Sequence, residues 1–244
     1  MKKLYLILIL CLFSLSLFAK TTVLYHTSDS HGFFYPKKNK GGFAVLAALL
    51  KQEKKPYLLL DSGDFAEGTI ETKTSKGLKA VQLMNKVGYH AATIGNHEFA
   101  YGDTALEKML SQAEFSILAA NFFEKDSFLY PKNIRPYQVF DVDGVKIAVI
   151  GLANRYPSKN SQKFVFGKPF DALNKALSEK EVKEAQAVVV LVHDSLADDR
   201  PEKPFYMGEI GRKLSGKVHM VLGGHAHKIF QNEYINNVLF VESG

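Results

Sequence analysis

The sequence contains a single cysteine, and this scarcity excludes several kinds of protein. That residue, Cys11, lies in an apolar N-terminal segment that we expect to be removed. The mature chain would then contain no cysteine, so it would need no disulfide bonds and could not use thiolate chemistry. Because Cys11 is followed by further apolar residues and not by the start of a folded domain, we do not expect a lipid anchor there.

Arginine is also scarce, with four among the 31 basic residues. The formal net charge of +6 falls to +4 once the two lysines of the N-terminal segment are removed. The remaining lysines are spread along the chain, whereas a surface dedicated to nucleic acid would carry a clustered stripe that includes arginine. We therefore expect solvated helix and loop faces, and no nucleic-acid partner.

The chain lacks an apolar run long enough to cross a membrane. The longest candidate, Leu4–Phe18, has 15 residues, whereas a membrane-spanning helix needs about 20. This run follows Lys2 and Lys3 and ends before the small residue Ala19, which is the pattern of a secretory signal peptide over residues 1–19. We therefore expect export to the periplasm or the cell exterior, with no stable membrane span after processing.

No internal repeat, low-complexity tract or long linker interrupts the chain. Its 244 residues, 46% of them hydrophobic, are enough for one large domain over residues 20–244. Apolar runs that predict strands lie at 22–25, 57–60, 91–94, 116–119, 188–192, 218–222 and 238–241. Helical patterns lie at 43–50, 78–87, 103–112 and about 170–185. This alternation favours an α/β fold with parallel βαβ units and helices on the sheet faces.

The middle of the chain departs from this alternation. The segments Tyr137–Val142 and Val145–Ile150 flank Asp143-Gly144, which is a strong signal for a two-residue hairpin turn. An antiparallel edge or a second sheet is therefore expected to begin here.

Five of the apolar runs are followed directly by side chains that are good metal ligands. The central example is Gly95-Asn96-His97-Glu98, after the run Ala91–Ile94. The other four runs precede Asp29 and His31, Asp61 and Asp64, His193, and His225 and His227. In open α/β sheets, ligands gather beyond the carboxyl ends of the strands. The sequence therefore predicts that these side chains converge on one site.

The residue types indicate two divalent cations, because carboxylate, imidazole and amide groups are typical ligands and one carboxylate must bridge a close pair. We expect one ion to be held by Asp29, His31 and His227. We expect the other to be held by Asn96, His193 and His225, with Asp64 as the bridge. An Asp-x-His or His-x-His pair alone is more often surface or turn chemistry, but five such elements in strand context favour a two-metal site. Zinc, manganese or iron would suit these ligands.

The ordered set Asp29-x-His31, Gly63-Asp64, Gly95-Asn96-His97-Glu98, His193 and Gly224-His225-x-His227 resembles the calcineurin-like metallophosphoesterase superfamily. The segments 26–32, 96–99 and Ala120-Asn121 are similar to its 5′-nucleotidase and UDP-sugar hydrolase branch. The resemblance covers nearly all of the mature chain. It implies a two-sheet β-sandwich flanked by helices, in α-β-β-α order, and an exported enzyme that hydrolyses phosphoesters at a binuclear site. It also implies the metal roles given above and a non-ligand role for His97 against the phosphate.

The mechanism expected from this resemblance is that a hydroxide bridging the two ions would attack phosphorus in line with the leaving oxygen. Asn96 and His97 are the expected catalytic residues. His97 could neutralise charge on the equatorial oxygens or could protonate the leaving oxygen, and the sequence does not choose between these roles. Glu98 and Asp61 are interpreted as structural, and so are the remaining histidines, His26, His90 and His219.

Two features depart from the pattern of the branch. Relatives often carry an acid shortly after the Asn-His-Glu-Phe motif that orients the histidine, but position 100 is Ala100, and Asp103 is the substitute that the sequence offers. Relatives also usually carry a C-terminal domain that binds the nucleotide base, and nothing in this chain corresponds to it. The last residues, 242–244, resemble a turn before one more strand. Hydrolysis of 5′-nucleotides or related small phosphomonoesters therefore rests on family analogy, and neither substrate-binding residues nor an oligomeric state can be assigned.

Two alternatives stay open. The chain could be a metal- or ligand-binding protein that kept the ligands and lost efficient turnover. It could also be a phosphodiesterase or a sulfur-ester hydrolase that uses the same ions. A substrate panel with and without added metal would separate these possibilities.

Overall fold

The computed structural model describes residues 21–36, 41–154, 156–157, 160–199 and 205–244. The strands are β1 (Val23–Thr27), β2 (Tyr57–Asp61), β3 (Ala91–Ala92), β4 (Ser116–Leu118), β5 (Phe122–Glu124), β6 (Ile134–Arg135), β7 (Tyr137–Val142), β8 (Val145–Leu152), β9 (Phe164–Phe166), β10 (Ala187–Val192), β11 (Met220–Gly223), β12 (Ile229–Ile235) and β13 (Val238–Ser243). The α-helices are α1 (Phe43–Leu50), α2 (Ile70–Ser75), α3 (Leu78–Val87), α4 (Asp103–Gln112), α5 (Pro169–Ser178), α6 (Lys180–Lys183) and α7 (Glu209–Leu214). Short 3-10 helices lie at His97–Phe99 and Leu196–Asp198.

The strands form two large sheets and a small one. The first sheet has the order β1-β2-β3-β4-β6, and all of its strands are parallel. The second has the order β12-β13-β11-β10-β8-β7, with four parallel strands in the middle and an antiparallel strand at each edge. The antiparallel pair β5-β9 forms the small sheet. The predicted hairpin is confirmed as β7-β8, at one edge of the second sheet.

Three apolar cores hold the layers together. The inner core packs β2, β3 and β4 of the first sheet against β8, β10 and β11 of the second. On the outer faces, α1, α3 and α4 cover the first sheet, while α5, α6 and α7 cover the second. This is the α-β-β-α arrangement, so the predicted two-sheet sandwich flanked by helices is confirmed.

The periodicity of the sequence explains why these elements form. In β10, Val188, Val190 and Val192 contribute to the outer core, and Val189 and Leu191 contribute to the inner core. A parallel strand that is buried on both faces is expected to be continuously apolar, as this one is.

Helix α5 shows the corresponding helical pattern. Its buried residues Leu173, Ala176 and Leu177 recur at helical spacing on one face. Pro169 occupies the first turn, where its missing N–H costs nothing. The helix therefore begins at this proline and packs its apolar face on the second sheet.

Several predicted boundaries need correction. The helix predicted over 170–185 is two helices, α5 and α6, separated at Glu179, which has an extended backbone. The predicted turn at 242–244 is wrong, because Glu242 and Ser243 belong to β13 and pair with β12. The sequence pattern does not predict β12, nor does it predict β5, β6, β9, α2 and α7.

Within the described ranges, no helix has both the length and the apolar character needed to cross a membrane. The predicted signal peptide, residues 1–19, lies outside the described residues.

Candidate metal centre

The predicted ligand residues converge at the carboxyl ends of five parallel strands. Asp29 and His31 follow β1, Asp64 follows β2, Asn96 and His97 follow β3, His193 follows β10, and His225 and His227 follow β11. The first three strands belong to one sheet and the last two to the other. The site therefore lies where the same ends of the two sheets meet.

One group of candidate ligand atoms joins Asp29, His31 and His227, and all of its atoms lie within 4.8 Å of one another. The Nε2 atoms of His31 and His227 are 3.2 Å apart, and His227 Nε2 is 3.7 Å from Asp29 Oδ1. A second group joins Asp64, His193 and His225 within the same limit. In that group, His193 Nε2 is 2.9 Å from Asp64 Oδ2.

Asp64 lies between the two groups. Its Oδ2 atom is 2.9 Å from His193 Nε2 and 4.0 Å from His31 Nε2. Its other oxygen, Oδ1, accepts a hydrogen bond from the backbone N–H of His97 at 2.8 Å. A carboxylate in this position can serve two cations, as a bridging ligand must.

Two buried polar atoms at this site have no hydrogen-bond partner in the described part of the chain. They are Oδ1 of Asn96 and Nε2 of His193. Of these two atoms, His193 Nε2 forms an ion pair with Asp64 Oδ2 at 2.9 Å, so Asn96 Oδ1 is the one with no polar contact of its own. A buried polar atom without a partner is costly, and a cation bound by both residues would supply the missing interaction. The residues present therefore fit a metal ion.

Backbone carbonyl groups fix the orientation of two of the imidazole rings. The Nδ1 atom of His31 lies 2.8 Å from the carbonyl oxygen of Glu67, and Nδ1 of His193 lies 2.6 Å from that of Ser62. Since a carbonyl oxygen can only accept, Nδ1 must donate in both cases. Nε2 of each ring is then the atom that can bind a cation, and it faces the centre.

The buried pair formed by His193 and Asp64 is electrostatically coupled. Burial by itself lowers the pKa of His193, but the adjacent carboxylates of Asp64 and Asp29 raise it to about 9. For Asp64, burial raises the pKa and the interaction with His193 lowers it, so that the group is ionised. A cation that binds here takes the place of a proton on His193.

The backbone is strained at most of the candidate ligands. Positive φ angles occur at Asp29 (52°), His31 (45°), Asp64 (60°), His225 (81°) and His227 (53°). This left-handed region costs a residue with a side chain roughly 1 kcal/mol or more. Strain that clusters at one set of side chains is typical of a functional site.

Glu98 holds the loop that carries Asp64. Its carboxylate accepts hydrogen bonds from the backbone N–H groups of Asp64, Phe65, Ala66 and Gly95, at distances of 2.7–3.0 Å. Burial, and next the charge of Asp64, raise the pKa of Glu98 to about 7. The structural role predicted for Glu98 is confirmed.

The other residues predicted to be structural also have local partners. Asp61 accepts hydrogen bonds from Thr27 and from the N–H of Gly63. His90 and His219 each accept a backbone N–H through Nδ1, and His26 contacts the hydroxyl of Ser62.

The sequence analysis missed Glu67. Its carboxylate Oε2 lies 2.5 Å from Nδ1 of His97. The suggestion that Asp103 orients His97 is wrong, because the Asp103 carboxylate accepts the backbone N–H groups of Gln162 and Lys163 instead. Glu67 follows Asp64 by three residues in the same loop, and this spacing is the signal that could have identified it.

Comparison with known proteins agrees with this geometry. The family model for calcineurin-like phosphoesterases matches residues 22–229, and the chain belongs to this family. Family membership confirms the predicted enzyme class, a phosphoester hydrolase.

Among curated relatives, the 5′-nucleotidase of Vibrio vulnificus is 31% identical over 226 residues, which are 86% of this chain and 40% of that protein. The NAD 5′-nucleotidase of Haemophilus influenzae is 35% identical over 152 residues, 56% of this chain and 25% of that protein. The chain thus spans at most about two-fifths of the length of these relatives.

Solved structures show the same fold. The 5′-nucleotidase precursor of Thermus thermophilus matches with a TM-score of 0.73 and 25% identity, covering 90% of this chain and 48% of that one. A sulfate thiohydrolase, SoxB, from Thermus thermophilus matches with a TM-score of 0.77 and 19% identity, covering 91% and 51%. At 19% identity the second match shows the fold alone.

Proposed function

We propose that the protein is an exported phosphoesterase that binds two divalent cations and hydrolyses 5′-nucleotides or related small phosphomonoesters. The observation that carries this proposal is the buried Asn96 Oδ1, which has no hydrogen-bond partner among the described residues, beside a carboxylate shared between two ligand groups. Nitrogen and oxygen ligands without sulfur suit zinc, manganese or iron.

Each cation would have four protein ligands. Asp29, His31, His227 and Asp64 would hold the first. Asn96, His193, His225 and Asp64 would hold the second. When bound, such a pair supplies a water of lowered pKa and positive charge that faces the phosphoryl group.

We assign His97 to the substrate and not to a metal. Its Nε2 atom is 4.0 Å from Asp64 Oδ2, and it also groups with His31 and Asp64 closely enough to bind an ion. However, both ions would already have four ligands without it, and its side chain is 34% exposed, so a substrate can reach it. When the ring is an imidazolium, with a hydrogen on both nitrogens, its Nε2 can donate from there to a phosphoryl oxygen or give a proton to the leaving oxygen.

The substrate class and the location rest on different observations. Curated relatives named 5′-nucleotidase and NAD 5′-nucleotidase support a nucleotide substrate. The signal-peptide pattern of residues 1–19 supports export to the periplasm or the cell exterior. A single catalytic domain over residues 20–244 stays a prediction.

The test is to measure metal content and hydrolysis on the same purified protein. Zinc- or manganese-loaded protein is expected to contain two ions per chain and to hydrolyse an aryl phosphate. On a panel of mononucleotides, cyclic nucleotides and sugar nucleotides, it should be most active with mononucleotides. Asp64→Asn should lose both activity and at least one ion, because it weakens the shared ligand. His97→Ala should lose activity by about 100-fold or more while it keeps two ions.

The matched control is Asp126→Asn, which changes an exposed aspartate that has no part in the centre, and it should retain both properties. Tight metal uptake with no turnover on any phosphoester would contradict the proposal and leave a metal-binding protein. Preference for cyclic nucleotides would identify a phosphodiesterase instead.

A further inference from the structure

We propose that Glu67 is the positioning residue for His97. It would take the role that an acid after the Asn-His-Glu-Phe motif often has in relatives, where this chain has Ala100. This inference deepens the proposed function and rests on it, because it concerns the group assigned to the substrate phosphate. Its basis is the contact between Glu67 Oε2 and His97 Nδ1, at 2.5 Å. Since a carboxylate accepts, Nδ1 of His97 carries the hydrogen, and Nε2 faces the space beside Asp64.

The segment that carries Glu67 is fixed on both sides. The backbone N–H of Ala66 donates to the buried carboxylate of Glu98 at 3.0 Å. After Glu67, a β-carbon on Gly68 would lie 2.3 Å from the carbonyl oxygen of His31, so the two chain segments touch at this glycine. Thr69 then caps the start of α2. The carboxylate thus extends from a rigid base, as a positioning group requires.

Glu67 contacts two imidazole rings, one through its backbone carbonyl and the other through its side-chain carboxylate. Its backbone carbonyl accepts from His31 Nδ1, and its side chain accepts from His97 Nδ1. The two rings are themselves in edge-to-face contact, with centroids 4.8 Å apart. Because substitution of the side chain leaves the carbonyl in place, variants at position 67 change the support of His97 and keep that of His31.

A purely structural role predicts a different result from a positioning role. The side chains of Glu67 and His97 are 38% and 34% exposed, and ion pairs at such exposure contribute little to stability. Removal of the carboxylate should therefore leave folding intact. It should instead change the orientation of the His97 ring and the ring nitrogen that carries the hydrogen.

The kinetic test compares Glu67→Ala, Glu67→Gln and the double variant Glu67→Ala/Ala100→Asp with the unmodified metal-loaded protein. Glu67→Ala is expected to lower kcat by about 10- to 100-fold, the usual cost of removing such a support, with KM changed less than about threefold and two ions retained. Glu67→Gln keeps an acceptor oxygen, so it should lose less. Aspartate at position 100, on the turn that carries His97, should restore part of the lost kcat.

Asp103→Asn is the matched control, because it removes the acid that the sequence offers as the orienting group for His97. Its carboxylate binds the backbone of Gln162 and Lys163 and not the ring of His97. Its kcat should equal that of the unmodified protein.

A spectroscopic test uses the metal-free protein and needs no substrate. Nitrogen-15 NMR of the histidine rings should show His97 with its hydrogen on Nδ1. Glu67→Ala should shift it toward the Nε2–H form that a free imidazole prefers, with the signals of His193 unchanged. The double variant should return it to the Nδ1–H form.

Unchanged kcat in Glu67→Ala, loss of metal in parallel with kcat, or an unchanged His97 ring signal would each overturn the inference. If the unmodified protein hydrolyses no phosphoester, the proposed function fails, and the NMR comparison still decides whether Glu67 positions His97.

Discussion

At the scale of single residues, two glycines make room for the carboxylates of the centre. A β-carbon on Gly95 would lie 2.1 Å from Asp64 Oδ1, and one on Gly224 would lie 2.6 Å from Asp29 Oδ2. Neither glycine has a positive φ angle, so what these positions require is space. Each of the two carboxylates therefore packs directly against the backbone of a glycine.

We expect Gly224→Ala to weaken metal binding by about tenfold or more, which corresponds to about 1.4 kcal/mol. The new methyl group would displace the Asp29 carboxylate from its present position, and it would also press on the side chain of Ser28, 2.9 Å away. The measurement is metal affinity by competition with a chelator.

Gly167→Ala serves as the control for this prediction. There the nearest atom to the methyl group would be the ring edge of Phe123, at 3.0 Å, outside the centre. Equal metal affinity in the two variants would show that the Asp29 carboxylate tolerates the methyl group.

Sequence reasoning selected the candidate ligand residues because each follows an apolar strand and has suitable chemistry, and the structure places them close together. It missed Glu67 because the partner, His97, lies 30 residues away on the loop of a neighbouring strand. The carbonyl groups of Ser62 and Glu67 that orient His193 and His31 have no signature in residue type. These supports depend on loop conformation, which a strand pattern does not specify.

At the scale of elements, the strands that cross the core were predictable and the edges were not. The strands β2, β8 and β10 are apolar over nearly their whole length. By contrast, β12 is mostly exposed and contains the polar run Gln231-Asn232-Glu233. Because an edge strand needs few apolar residues, its pattern does not stand out from that of a loop.

The break between α5 and α6 was hidden for a different reason. The helical pattern predicted over 170–185 runs through Glu179 because Ala176 and Val182, on either side of it, are both buried. Two helices that cover the same sheet face present the same apolar spacing as one long helix, so the sequence pattern does not show where the chain becomes extended.

Strand β13 carries a buried carboxylate that ties it to the loop after β10. Glu242 accepts hydrogen bonds from the hydroxyl of Ser195 at 2.6 Å and from the N–H of Leu196 at 2.7 Å. Burial raises the pKa of Glu242 to about 7, against the opposing effect of these two hydrogen bonds. The folded protein therefore binds a proton here that the unfolded chain releases at lower pH.

This shift predicts a loss of stability as the pH rises. Between the unfolded pKa near 4.5 and the folded pKa near 7, the folded state holds more protons, so the free energy of unfolding falls with increasing pH. From about pH 5 to pH 8, the unmodified protein should lose about 2 kcal/mol more than Glu242→Gln does. Urea unfolding of both proteins with a chelator present measures the difference, and equal losses would contradict the assignment.

At the scale of the whole molecule, the centre joins the two sheets. Asp29, His31, Asp64 and Asn96 come from the first sheet, and His193, His225 and His227 come from the second. Bound cations would therefore link the two layers across the end of the inner core. Ligands that bind only the folded state stabilise it more as their concentration rises above Kd.

We expect removal of metal by a chelator to lower the Tm. At a free metal concentration about 100 times the Kd, each ion adds about 2.7 kcal/mol to the free energy of unfolding, and for a chain of this size the loss corresponds to roughly 5–10 °C per ion. Differential scanning calorimetry with and without chelator measures it. Asp64→Asn should show a smaller difference, and an identical Tm with and without metal would argue against binding at this site.

The distribution of the candidate ligands along the chain would also set an order of events during synthesis. Nearly a hundred residues separate Asn96 from His193, so the first half of the candidate ligand set leaves the ribosome well before the second. Neither half alone can complete the shell of an ion. If cations bind here, a complete site would therefore form only after the two layers have docked.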